Sequence, residues 1–129
     1  MSNARRSIAQ LRAEKETRYQ DGLEGIRLRN AVGRTDAEYN SVGGYHPSTH
    51  NMFLTALLED ANRACVLLEH FPGPLERALA HECKALLQRD LGQIGDAMTS
   101  FHAHAAAVRA RCRWAGRRFR VPRSPKNLN

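Results

Sequence analysis

The sequence predicts an all-α fold, a helical bundle built on a helix–corner–helix hairpin with a long C-terminal helix and a basic tail. Ala and Leu dominate the apolar residues while Ile and Val are few and aromatics reach only 6%, a composition that favours helix over sheet. From residue 53 onward, apolar side chains recur at steps of three and four, the spacing of one helical face. The stretch "FPGP" at 71–74 then supplies a corner between two such runs. At 129 residues the chain suggests one domain, 1–116, followed by a basic arm over 117–129. A chain of this size buries roughly two thirds of its unfolded surface, enough for a core without staples.

The first element is a helix over residues 4 to about 32. Ile8, Leu11, Tyr19, Leu23 and Ile26 roughly share a face, interrupted by Lys15 and weakened by Gly22 and Gly25. So poorly amphipathic a helix needs a packing partner. "GRTDAEYNSVGGYHPS" at 33–48 reads as a turn-rich connector, whose tyrosines and His46 are candidates for a contact surface. A second helix follows over 49–71, capped by Ser48 or Thr49, with Phe53, Leu57, Ala61, Ala64, Leu68 and Phe71 on its core stripe.

Pro72 cannot continue that helix, while Gly73 and Pro74 suit the entry to the next. Leu75, Leu79, Cys83 and Leu87 step by four, and Leu91, Ile94, Met98, Phe101, Ala105, Val108, Cys112 and Ala115 continue the seam with heptad-like spacing. Unbroken from 74 to 115, this helix is about 60 Å long. It outruns the second helix by half and leaves Met98, Phe101, Ala105, Val108 and Cys112 to be covered either by the first helix of the same chain or, as an oligomer interface, by a second subunit. A break at Gly92–Gly95 instead yields a compact monomeric four-helix bundle.

Charge is segmented. Residues 1–34 carry eight Lys/Arg against four acids, 35–96 carry four against nine, and 97–129 carry eight against none, within a net charge of +7. Two basic ends thus flank an acidic middle, and they either attract an external polyanion or dock on that middle. "VRARCRWAGRRFRVPR" at 108–123 holds seven arginines and no acid. On a helix, Arg109, Arg113 and Arg117 fall along one edge of the seam, with Arg111 and Arg118 along the other. Parallel pairing of two such segments is repulsive, so an acidic partner is expected. Phosphates supply one, with Trp114 and Phe119 available to stack on unpaired bases and Arg120 extending the patch.

Other chemistry finds little support. The N-terminus lacks an apolar secretory region, no window approaches a membrane span, and three cysteines without a CxxC pair read as thiols in a cytoplasmic protein. His46 and His50 are separated by Pro47, His102 and His104 point apart, and "HECKA" lacks a second histidine, so neither metal nor cofactor is expected. Arg63 and His70 resemble, in those two residues, the R-x(4–6)-H spacing of helical HEPN-type ribonucleases. In that family the motif lies near the start of a helix; here His70 closes one, and no catalytic role is carried over. The expectation is a non-enzymatic, nucleic-acid-associated homodimer that meets neither a membrane nor a small-molecule substrate. The alternative is a protein-binding regulator or adaptor that meets an acidic surface through its seam and the 33–48 connector. Small Arg-rich accessory proteins of phages and plasmids, including inhibitors of host proteins, have a similar composition.

Overall fold

The structure, a computed structural model, describes residues 6–43 and 49–118, with side chains as far as Arg113. It is all-helical over these residues: α1 spans Ile8–Ser41, α2 His50–Leu67, α3 Pro74–Asp90 and α4 Ile94–Arg118. Helix α1 opens with a capping box, in which the Ser7 hydroxyl accepts from the Gln10 N–H at 3.1 Å and the Gln10 side chain accepts from the Ser7 N–H at 2.8 Å.

Three expectations about helix ends are corrected, the simplest being that α2 stops at Leu67 and not at 71. The connector expected from residue 33 begins only after Ser41, because α1 runs straight through Gly33. Gly33 is exposed, so it costs α1 no more than about 1 kcal/mol of helix propensity. Packing repays this: Val32 is buried, and the Tyr39 ring stacks on Phe53 with centroids 4.4 Å apart. The stop signal is the later Gly43, at φ +106°, whose N–H donates to the Asn40 carbonyl at 3.3 Å. Tyr39 is therefore a packing residue, and Tyr45 and His46 lie outside the described residues.

The long helix expected over 74–115 is likewise two helices. Gly92 takes φ +79° and closes α3 with paired Schellman bonds, Gly92 N–H to the Arg89 carbonyl at 3.0 Å and Gln93 N–H to Gln88 at 2.8 Å. The chain then folds back, and the two halves of the predicted seam lie side by side instead of end to end.

Around the corner, Pro74 is the first residue of α3, and the Arg77 guanidinium donates to the Phe71 carbonyl. Helices α1 and α2 pack antiparallel, α2 packs on α3, and among the described residues α4 packs on α3. The core thus belongs to α1–α3, around Val32, Leu54, Leu57, Leu58, Ala61 and Leu87. Between α3 and α4 the buried side chains are small, with Ala78, Ala85, Ala97 and Ala107 setting a close approach. Polar groups caught there are satisfied: Ser100 donates to the Gln88 side chain at 2.6 Å, and His104 Nδ1–H donates to the Ala78 carbonyl at 2.8 Å.

Candidate nucleic-acid interface

Alternation of helix direction brings the chain's two basic blocks to one end of the molecule. Gly22 lies against Phe71 and Gly25 against Leu68, so α1 from Ile8 to Arg18 projects past the α2–α3 corner. His104 lies level with Ala78, so α4 passes the start of α3 near Val108 and runs on for about 15 Å. Both projections leave the same end, one bearing Arg6, Arg12, Lys15 and Arg18, the other Arg109, Arg111 and Arg113.

The two differ in how far their charge is already spent. On α1, Glu14 sits 2.6 Å from Arg6 and 4.0 Å from Arg18, drawing on both. The acidic middle block reaches the first basic block through the partly buried Arg29–Glu76 pair. On α4, Arg109, Arg111 and Arg113 are exposed, and none is paired with a carboxylate among the described residues. Docking of the α4 arginines on the chain's own acids therefore does not occur among those residues. Helix α4 also has no acid after Asp96 in its first turn. A helix C-terminus presents only about half a negative charge, which cannot account for three arginines in five residues.

Arg117 and Arg118 continue the helical backbone together with Trp114, but their side chains, like Phe119 and Arg120, fall outside what is described. The stripe expected to form an oligomer interface is largely open. Met98 is 57% and Val108 38% exposed, Cys112 is exposed, and Phe101 and Ala105 are half-buried.

The other motifs are not drawn into a site. His81 is half-buried beside Lys84, and burial, reinforced by the nearby charges, lowers its pKa and favours the neutral ring. His104 approaches Glu82 at 3.6 Å. No group of three or more His, Cys, Asp or Glu able to hold a metal ion occurs among the described residues, and no described helix is long and apolar enough to cross a membrane. Arg63 is exposed and His70 lies beyond the end of α2.

The three thiols are free and unequal. Burial pushes Cys65 upward and Cys83 to about 11, whereas Cys112 is exposed on the projecting part of α4. At pH 8 that leaves Cys83 with roughly one hundredth of the thiolate of an unperturbed cysteine. Brief iodoacetamide treatment of the folded protein, followed by peptide mapping, is expected to label Cys112 at least tenfold faster than Cys83. Equal rates would contradict the burial described.

Comparison of the chain with protein-family models, curated proteins and solved structures gave no match.

Proposed function

We propose that the protein is a small, non-enzymatic helical binding protein of the cytoplasm that engages nucleic acid through the arginine-rich end of α4. One observation carries the reading: Arg109, Arg111 and Arg113 stand exposed on a helix that has outrun α3, on which it packs, with no described carboxylate to neutralise them. Such arginines gain little from their own fold and much from phosphates, whose condensed counterions they release. Trp114 and Phe119 are the residues suited to stacking on unpaired bases, and Arg117, Arg118 and Arg120 extend the cationic track. The projecting start of α1, with Arg12 and Lys15 outside the ion pairs of Glu14, forms a second prong at the same end.

The test is titration of a labelled duplex and a labelled single strand at several salt concentrations. Binding is expected to weaken steeply with salt. Replacing Arg109, Arg111 and Arg113 together by Gln keeps helix propensity and is expected to lower duplex affinity about a hundredfold at ~0.1 M salt, with the salt slope falling by nearly three. A chain ending at Gly116 should lose a further part of the affinity. Binding that is absent at low salt, or indifferent to the triple substitution, would transfer the role of partner to an acidic protein surface.

A further inference from the structure

We infer that a second copy of the chain seats on α4, antiparallel to it, about a dyad level with Ala103. Helix α4 is 25 residues long and among the described residues packs on α3, with a groove separating it from α2. Ala97, Ser100, His104 and Ala107 form the side that meets α3. Roughly a quarter-turn away runs a separate apolar stripe of Ile94, Met98, Phe101, Ala105, Val108 and Cys112, with Ile94 and Met98 more than half exposed. Leu75 and Leu79 on α3 are also exposed, Leu79 in the groove that α3 forms with α1. The footprint is about 27 Å long and ~20 Å wide, roughly 540 Å² per partner, at the small end of specific interfaces.

Register and charge together specify the occupant. The stripe advances by 4, 3, 4, 3 and 4 residues, a spacing that reads the same in both directions. An antiparallel copy therefore brings Phe101 opposite Ala105, Met98 opposite Val108 and Ile94 opposite Cys112, in pairs that set the largest side chain over the smallest. The parallel alternative stacks Arg109 and Arg113 of the two copies on each other. The antiparallel arrangement holds the two arginine clusters roughly 24 Å apart along the helix axis. Glu82, at the inner edge of the patch, has His104 within 3.6 Å as a partner for its charge. Self-association of this kind is independent of the nucleic-acid reading.

Two measurements on the full chain decide it. Sedimentation from about 1 to 200 µM is expected to show the 14.5 kDa chain passing to twice its mass. Met98→Glu, at a position already open to solvent, should weaken that association at least a hundredfold, and Val66→Glu, exposed on α2, should leave it unchanged. Mild oxidation of the Ile94→Cys variant should join position 94 to the partner's Cys112, since the register brings them within disulfide reach. A monomer at every concentration, a dimer indifferent to Met98→Glu, or cross-links of 94 to 94 and 112 to 112 would overturn the proposal.

Discussion

Leucine in place of Gly25 is expected to destabilise the fold by about 3 kcal/mol, lowering the midpoint of thermal unfolding by roughly 10 °C. Gly25 is buried where α1 crosses α2. A Cβ there would stand 2.8 Å from Leu68 Cγ, 3.1 Å from the Ala64 carbonyl oxygen and 3.2 Å from Leu67 Cβ. Two of these three neighbours belong to or adjoin the α2 backbone and cannot rotate away, so the helices must part. Leu68 is fully buried and fills the space that glycine leaves, which makes the contact a specific fit. Even Gly25→Ala should be destabilising, since its gain of about 1 kcal/mol in helix propensity is outweighed by that crowding. Gly33 is the control: nothing lies within 4 Å of its would-be Cβ, and Gly33→Ala should stabilise by about 0.5–1 kcal/mol. Circular-dichroism melts of the three variants check both signs, and a stable Gly25→Leu protein would refute the α1–α2 crossing.

Valine in place of Gly92 has the second-largest expected effect. The αL backbone at φ +79° costs a β-branched residue about 2 kcal/mol, and the space around Gly92 is open, so the penalty is conformational and not steric. The unfolding midpoint should fall by about 6–10 °C. The substitution also favours the straight alternative, because valine tolerates a helix interior far better than it tolerates αL. Helices α3 and α4 fused from Pro74 onward become a rod longer than 60 Å that needs another chain to cover both faces. Small-angle scattering of Gly92→Val should therefore reveal a more elongated particle than the unsubstituted protein. An unchanged melt and an unchanged scattering curve would show that Gly92 does not hold the hairpin.

Much of this architecture was legible beforehand, for local reasons. Helical class follows from the periodic leucines and alanines, and the start of α3 from Pro74, because proline at the first helical position needs no neighbour to act. Helix ends set by glycine were less legible. Gly33 and Gly43 have the same chemistry, yet one sits inside α1 and the other ends it. The difference is that Tyr39 finds Phe53 across the interface and carries the last turns of α1 onto α2. Gly92 and Gly95 show the same ambiguity: the first closes α3 and the second lies inside α4. The basic end was visible as composition, but its placement at the same end of the molecule as the N-terminal arginines follows only from helix direction.

The sequence by itself determined that this protein is helical, that its charge is segregated and that its last thirty-three residues carry cations without acids. Spacing, propensity and formal charge are properties of neighbours along the chain, so no fold is needed to express them. Tertiary structure alone decided that the seam from Leu75 to Cys112 doubles back at Gly92, that α1 extends to Ser41, and that both basic blocks leave one end of the bundle. A glycine reaches its αL turn, and a helix its overhang, only through the packing of segments distant in sequence, whose energy no local pattern records.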